Sequence, residues 1–167
     1  SFPNQGRKRS LVAGWWWYNM ISRNSIKDKI TFFLHTTFTT SKDDGTGAST
    51  YFFDHLKLLE FYSYGSLKDL SKKITLDNAM LLYLDNTTNN AANPNENYAR
   101  EFLELFTIGK GEQIGEGNYT NYNESDVQQA ARVFSGFKTK LDRSIIDPDT
   151  NIPMGRTNTN QHDSGEK

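Results

Sequence analysis

The chain has 167 residues, no cysteine, and a net charge of −1 from 19 basic and 20 acidic residues. This length suits one domain with one core better than two, and the balanced charge predicts neither a basic field for nucleic acid nor a polybasic arm for an anionic membrane. The absence of cysteine excludes disulfides, thiolate metal sites and a cysteine nucleophile.

The first 22 residues divide into a polar start and an apolar segment. Residues 1–10 contain a proline, a glycine and three consecutive basic residues, and we expect a loose lead-in there. Residues 11–22 predict the first helix, but this run is about half the ~20 apolar residues of a transmembrane helix, so no membrane span is expected. The three tryptophans are consecutive and point in different directions on a helix, which favours a core anchor over a flat ligand-stacking surface.

Four further helices are predicted before residue 85. Serine caps begin two of them, and the segment at 51–64 is apolar on almost all sides, which indicates a central helix. Because such a helix needs cover on every side, we expect an apolar patch where further segments or another chain would dock. The four predicted ranges are 25–40, 51–64, 66–73 and 76–84.

Two histidines lie in these helices. The apolar stripe of the second helix runs from Ile26 through Phe33 to Phe38, and His35 points away from it. His55 lies on the central helix, where a hydrogen-bonded core histidine is more typical than a metal ligand. We therefore expect His35 to be the more available of the two.

The clearest helix signals lie between residues 93 and 109. Asn93 is the expected N-cap, Pro94 suits the first helical position, and Glu96 falls at the third position of a capping box. Gly109 suits the left-handed residue that follows a helix end. One face of this predicted helix is apolar, with Phe102 and Phe106 at its centre.

The opposite face of the same helix is densely charged. Arg100 lies four residues from both Glu96 and Glu104, which predicts an ion-pair ladder. Asn97, Glu101 and Glu104 instead share a face with two like charges and no local cation. We expect one of these two carboxylates to be partly buried and to contact a basic residue, a histidine or an ion from another part of the chain.

The remainder is expected to hold one more helix, capped by Asn123 and ending near Gly136, and then a loop-rich tail at 138–167 with one short strand at 144–146. Residues 147–151 alternate oxygen ligands like the start of a calcium loop, but the required glycine and glutamate positions hold other residues, so a solvated turn is favoured. The predicted fold is all-α: an irregular bundle of about six helices in a single domain with a long polar C-terminal loop region.

The segment around residues 95–109 resembles the signature of the bacterial family called domain of unknown function 1800. Its matching residues are Asn95 to Glu101, Glu104 to Thr107, and Gly109, of which Asn95, Glu96, Asn97 and Arg100 form the structural signature. Other similar pieces follow in the family's order: Trp15-Trp16 with Met20, Phe33 to Phe38, Asn78 to Leu81, Tyr83 to Asn86, Asp126-Val127, Ala130 to Arg132, Ser135 to Phe137, and His162-Asp163 with Gly165 and Lys167.

This resemblance implies a location and a class of partner rather than an activity. Family members are typically larger and often secreted, so the chain is expected to be an internal or truncated portion of an extracytoplasmic protein. Members are often encoded beside a second exported family that resembles sulfatases. The first functional hypothesis is therefore a non-enzymatic binding or assembly partner of another exported protein.

The alternative hypothesis is a metal-assisted hydrolase. Its divalent metal would be held by carboxylates of the helix predicted between residues 93 and 109, here called the signature helix, together with imidazole and carboxylate ligands from other parts of the chain. This combination of ligands suits zinc, iron or manganese. Relatives often show His-Asn-His-Phe where this chain has His35-Thr36-Thr37-Phe38, so a second histidine is missing there. The candidate catalytic and metal-binding residues are Glu101, Glu104, His35, His162 and Asp163.

Overall fold

The computed structural model describes residues 5–41 and 47–166. It is mostly helical, with 54 % of residues in helices and 10 % in short strands, so the all-α prediction is right for the bulk of the chain and wrong for these strands. The helices found in the described residues are α1 (Gln5–Ser22), α2 (Ile26–Thr37), α3 (Ser49–Phe61), α4 (Leu67–Ile74), α5 (Asn78–Tyr83), α6 (Glu96–Glu101) and α7 (Glu124–Phe134), with 3₁₀ turns at Tyr62–Tyr64 and Asn86–Thr88 and a π-helix at Phe102–Thr107.

The predicted N-caps account for where three of these helices begin. The side chains of Ser25, Ser66 and Asn123 accept hydrogen bonds from backbone amides in the first turns of α2, α4 and α7, as expected. At α7 the capping box is complete, because Asp126 accepts in return from the backbone of Asn123. A fourth cap, Asp77, begins α5.

The start of the chain differs from the prediction. Residues 5–10 were expected to be a loose lead-in, but they form the first turns of α1, which is therefore 18 residues long; residues 1–4 lie outside the described part. The tryptophans do point in different directions: Trp16 is buried, Trp15 is half-buried and Trp17 is exposed. None of the helices in the described ranges is both long and apolar enough to cross a bilayer.

Helix α3 is the central helix, as predicted, and its burial includes polar residues. Apart from Thr50, Phe53, Lys57 and Phe61, its side chains are buried, and they contact α1, α2 and α5. The chain itself covers most of the surface of this helix, and the apolar side chains of the predicted range 51–64 that stay exposed are Phe61 and Tyr64, at 51 % and 66 %. Two apolar clusters pack around it, a large one extending to α7 and a small one formed with Trp16.

Helix α2 is rotated relative to the predicted apolar stripe. Ile26 and Phe33 are exposed, whereas Asp28 and Thr31 are buried. Thr31 is accommodated because its hydroxyl donates to the carbonyl of Lys27 at 2.9 Å, one turn earlier in the same helix. Periodicity failed here because an apolar pattern assigns polar positions to solvent, whereas Thr31 is satisfied by its own helix and Asp28 is paired with Arg23 at 3.7 Å.

Four short strands form two antiparallel pairs. Strands β1 (Gln113–Gly115) and β2 (Asn118–Tyr119) make a hairpin, and β3 (Phe137–Lys138) pairs with β4 (Arg156–Thr157). The strand predicted at 144–146 is not formed, and only Ile146 makes an isolated bridge, to Pro153. The predicted loop-rich tail is thus attached to the end of α7 through β3 and β4.

Candidate functional site

Two asparagines of the family-like segment fasten the start of α6. Asn95, rather than the predicted Asn93, is the N-cap, and its side chain accepts from the backbone amide of Asn97 at 3.0 Å. The helix begins at Glu96, so the predicted capping box on that residue is not formed. The side-chain amide of Asn97 donates to the backbone carbonyl of Leu84 at 3.2 Å, which ties α6 to the end of α5.

Arg100 joins α6 to α7. It pairs with Glu96 at 3.2 Å, as predicted, but its other partner is Glu124, the first residue of α7, which it contacts through two hydrogen bonds of 2.8 and 2.7 Å. The predicted pair with Glu104 is therefore wrong. A guanidinium gains more from a two-bond contact across helices than from an exposed pair along one helix.

The two signature carboxylates have different surroundings. Glu104 pairs with Lys110 at 2.7 Å and accepts from the hydroxyl of Tyr122 at 3.2 Å, so its compensation comes from residues after the helix, as the sequence predicted for one of the pair. Glu101 is half-exposed and has no hydrogen bond or ion pair with the described residues. It borders a cavity of about 420 Å³ that also touches Thr36 and Thr37.

Directly after Glu101 the helix widens into the π-helix. The backbone amide of Ile108 donates to the carbonyl of Leu103 at 3.1 Å, a five-residue step that a regular α-helix does not make. The apolar face changes with it: Phe106 is buried at 5 % exposure, Leu105 is 58 % exposed, and Phe102 is only partly buried. No feature of the sequence predicted this widening.

The second family-like motif, at residues 162–163, also holds parts of the fold together. The imidazole Nδ1 of His162 lies 2.8 Å from the carbonyl of Ser135, and the Asp163 carboxylate pairs with Arg132 at 2.6 Å. Gly136 lies between them with φ +75°, and a Cβ there would come within 2.7 Å of the backbone of His162. This motif therefore docks the tail onto the end of α7.

Buried asparagines complete the same junction. Asn86 donates to the carbonyl of Phe134 at 3.1 Å, and Asn89 donates to the carbonyl of Ala131 at 2.8 Å. These carbonyls belong to the last turn of α7, where no amide within the helix remains to satisfy them. The side-chain oxygen of Asn89 also accepts from the backbone amide of Asn95, so the polar loop before α6 caps α7.

His35, the other histidine among the candidate residues, lies among aromatic rings. Its ring centroid is 5.1 Å from that of Trp16 and 5.6 Å from that of His55, and its Nδ1 has no hydrogen-bond partner among the residues that the structure describes. Burial, with a smaller contribution from His55, lowers the pKa of His35 to about 4. At neutral pH it is therefore an uncharged ring in an aromatic cluster.

The five predicted catalytic or metal-binding residues are thus not brought together. Glu101 and Glu104 lie along the signature helix, His35 lies beside α1 and α3, and His162 with Asp163 lies at the end of α7. Within residues 5–41 and 47–166 no group of three or more histidine, aspartate or glutamate side chains has an arrangement that could hold a metal ion. The residues present do not fit the divalent metal of the hydrolase hypothesis.

A different region does gather charged groups around open space. A cavity of about 680 Å³ lies between α4 and residues 147–154. Its volume falls in the range of roughly 300–1,000 Å³ that is usual for small-ligand sites. Its apolar walls come from the end of α3 and the 3₁₀ turn that follows it, from the connection between α4 and α5, and from the tail: Leu58, Tyr62, Leu76, Pro148, Ile152, Pro153 and Met154.

Lys73 is the charged centre of this cavity. Its Nζ lies 2.5 Å from a carboxylate oxygen of Asp147 and 2.6 Å from one of Asp149, and these hydrogen bonds raise the pKa of Lys73. Burial alone would raise the pKa of Asp147, but the Lys73 contact and the backbone amides of Thr150 and Asp149 outweigh it and lower that pKa. Both groups are charged at neutral pH.

The tail segment 147–151 is an aspartate-capped turn. Oδ1 of Asp147 accepts from the backbone amides of Asp149 and Thr150 at 3.0 and 2.9 Å, and Asn151 has φ +58°. The sequence favoured a solvated turn over a calcium loop: a turn is formed, but its residues Asp147 and Thr150 are buried. The ammonium of Lys73 occupies the position in which these carboxylates would face a cation.

The inner wall of the cavity includes a buried histidine–aspartate pair. Nδ1 of His55 lies 3.0 Å from Oδ2 of Asp77, which lines the cavity, and Nε2 lies 3.1 Å from the carbonyl of Phe38. A carbonyl only accepts, so Nε2 is the ring nitrogen that donates to Phe38. His55 is a hydrogen-bonded core histidine, as predicted.

No motif or periodic pattern in the sequence marks Lys73, Asp77 or Asp149 as site residues. Lys73 and Asp147 are 74 positions apart, and no periodic pattern joins a helix to an irregular tail. The one available signal was the density of oxygen ligands in residues 147–151, which marked an acidic turn but not its partner.

Comparison with known proteins gives a family and no activity. The family model described as Protein of unknown function (DUF1800) matches residues 3–167, essentially the whole chain. No curated protein and no solved structure matches the sequence. The resemblance noted in the sequence is thereby confirmed, and the function has to be argued from the geometry of the cavity.

Proposed function

This chain belongs to the DUF1800 family, and we propose that it is a binding module that takes a basic segment of another exported protein into the cavity between α4 and residues 147–154. The location outside the cytoplasm and the exported partner rest on the family resemblance. The observation that carries the binding role is the cavity itself, in which apolar walls adjoin exposed carboxylates.

The charge balance of the cavity selects the ligand. Four aspartates and two lysines line it; Asp77 is buried and paired with His55, which leaves three carboxylates against two ammonium groups. Lys73 is already neutralised by Asp147 and Asp149, and an incoming anion would have to displace one of them. The carboxylates of Asp69 and Asp149 are paired with Lys72 at 3.4 Å and with Lys73 at 2.6 Å, but they are 51 % and 69 % exposed, so each keeps surface that a lysine or arginine side chain can reach.

The apolar walls select the rest of the ligand. Tyr62, Ile152 and Met154 offer an aromatic ring, a branched side chain and a flexible thioether, which suit an apolar side chain next to the basic one. Apolar burial supplies most of the affinity in such a site, and the carboxylates supply orientation. A short extended peptide with alternating basic and apolar residues meets both demands.

The arrangement supports binding better than catalysis. Each charged group near the cavity centre is paired: Lys73 with two carboxylates, and Asp77 with His55 and the backbone amide of Met80. A nucleophile or general base needs a reactive atom directed at the substrate and a partner that moves its proton. Here the paired groups fix the walls of the cavity instead.

The test is fluorescence anisotropy with two labelled peptides of alternating lysine and leucine, or glutamate and leucine. We expect the lysine peptide to bind with a roughly micromolar Kd and the glutamate peptide to bind much more weakly. The double variant Asp69→Asn and Asp149→Asn should weaken binding of the lysine peptide roughly three- to tenfold, since exposed ion pairs contribute modestly. Glu116→Gln, on the turn between β1 and β2, is the matched control.

Two results would contradict the proposal. One is equal affinity for both peptides, which would show that the acidic rim does not select the ligand. The other is an unchanged affinity in the double aspartate variant together with a loss in Glu116→Gln, which would place the peptide elsewhere on the chain.

A further inference from the structure

The outward face of α1 is apolar and lacks a partner in the described chain. Leu11, Tyr18 and Ile21 are 65 %, 68 % and 80 % exposed, and their spacing places them on one face together with Gly14. A Cβ at Gly14 would meet nothing within 4 Å, so this face is open along its middle. Trp17, 59 % exposed, borders it.

The opposite face of α1 is the one that packs in the fold. Trp16 and Asn19 are buried there, and Trp16 with Val12, Trp15 and Met20 packs against α3. The exposed aromatic and aliphatic side chains are therefore not needed to hold α1 in place. Phe32 of α2 lies beside this helix, 5.8 Å from the ring of Trp16, is 46 % exposed, and adds apolar surface next to it.

The segment that contains α1 carries charges of one sign only, although Asp28 and Glu60 from neighbouring helices pair with Arg23 just beyond the end of α1. Residues 1–27 hold five of the 19 basic residues and none of the 20 acidic residues, so the other 140 residues have 14 basic against 20 acidic and a net charge of −6. The balanced total charge, which predicted no basic surface, conceals this asymmetry. Arg7 shares the face of Leu11 and Tyr18, and Arg7 and Lys8 are exposed without an ion pair to the described residues.

The position of these cations is unfavourable for the helix itself. Arg7 and Lys8 lie in the first turn of α1, where the positive end of the helix dipole repels basic side chains, and that turn has no acidic residue to offset them. A basic start followed by exposed tryptophan, tyrosine and isoleucine is the composition of helices that lie in the plane of a lipid surface. Tryptophan and tyrosine are enriched at the level of the headgroups.

We propose that the outward face of α1 docks the protein onto the surface of an anionic bilayer, with Arg7 and Lys8 at the headgroups and Leu11, Trp17, Tyr18 and Ile21 at the acyl boundary. This attachment is peripheral and does not involve the cavity of the proposed function. A second copy of the chain is a less suitable occupant, because two such faces would bring together the same uncompensated cations. The lipid surface supplies the anionic charge that the face lacks.

The experiment is co-sedimentation of the full chain with vesicles of phosphatidylcholine and phosphatidylglycerol, and with vesicles of phosphatidylcholine alone. We expect binding to the anionic vesicles and a strong decrease on adding salt. The double variant Arg7→Gln and Lys8→Gln should bind about 25-fold more weakly, at about fivefold for each cation removed. Lys68→Gln with Arg156→Gln, which removes the same charge from α4 and β4, should retain at least half the binding.

The apolar contribution has its own variants and its own signal. Tyr18→Ser with Ile21→Ser should lower binding by roughly tenfold or more, since both lose their insertion into the interface. Ile114→Ser, equally exposed but on β1, is the control. Trp17→Phe should still sediment with anionic vesicles, but the blue shift of tryptophan emission on binding should disappear, because Trp15 and Trp16 face inward.

Four outcomes would overturn the proposal. Equal binding to neutral and anionic vesicles would remove the role of the cations, and unchanged binding in both α1 variants would remove the role of the face. A dimer that forms with increasing concentration and is abolished by Ile21→Ser, without vesicle binding, would assign the face to a second copy. A persistent blue shift in Trp17→Phe would place the contact away from this face.

Discussion

The junction of α6 with α7 and the cavity beside α4 use polar residues in different ways. At the junction, Asn89, Arg100, Arg132 and their partners satisfy helix ends and join elements by direct hydrogen bonds and ion pairs. At the cavity, Lys73 and its carboxylates pair across a space of about 680 Å³. The family-like residues of the sequence thus stabilise the fold, whereas the cavity that resembles a binding site is lined by residues that belong to no sequence motif.

The largest expected effect tests the packing of the junction. Phe106→Ala should lower the free energy of unfolding by roughly 3–5 kcal/mol, because a buried aromatic ring leaves a cavity when removed. The neighbouring Leu105→Ala should change it by less than about 0.5 kcal/mol, because Leu105 is exposed by the wider turn of the π-helix. Chemical denaturation of both variants measures this. Similar losses in the two would mean that the π-helix register is wrong.

The next effect tests the polar part of the junction. Asn89→Ala removes three hydrogen bonds and leaves the carbonyl of Ala131 and the amide of Asn95 without their partners in a buried place. We expect a loss of roughly 2–4 kcal/mol. The control is Asn118→Ala, an exposed asparagine in β2. Equal stability of parent and Asn89→Ala in urea titrations would show that the asparagine network is not structural.

These residues also show how far the sequence could be interpreted. Helix caps such as Ser25 and Asn123 were predictable because each acts within a few positions of the helix it begins. The role of Asn89 was not, because its partners lie on α7 and an asparagine-rich loop has the composition of solvent-exposed turns. Glu101 and Glu104 were proposed as metal ligands because their spacing places two like charges on one helix face. The spacing does not show that Lys110, in the loop after the helix, pairs with Glu104.

A third prediction concerns the pH dependence of stability that the buried His35 causes. The pKa of His35 falls from 6.5 to about 4 on folding, so folding favours its neutral form, and its contribution to stability is complete above about pH 6.5 and is lost as pH falls toward 4. Between pH 7 and 5 the parent should lose about 2 kcal/mol that His35→Leu does not lose. Denaturant titrations at both pH values give the difference. A parallel loss in the two proteins would contradict this burial of His35.

The smallest effect on stability is expected at the rim of the cavity. Asp149→Asn removes one of the two partners of Lys73, but this carboxylate is 69 % exposed and Asp147 remains in contact with the lysine. We expect a change in unfolding free energy within about 0.5 kcal/mol, as for other exposed pairs. A loss comparable to that of Asn89→Ala would show that the cavity charges hold the fold in the same way as the junction does.

The most direct test of the cavity as a binding site uses the three methionines. Met154 lines the cavity, Met80 is buried in the large apolar cluster, and Met20 packs beside Trp16, so ¹³C-methyl labelling gives one reporter in each region. On titration with the lysine–leucine peptide, we expect a saturable shift of the Met154 methyl signal with little change at Met20. The shift of the Met154 signal should saturate at higher peptide concentration in the variant with both Asp69→Asn and Asp149→Asn. A saturable shift at Met20 with Met154 unchanged, or no shift at any of the three, would contradict this expectation.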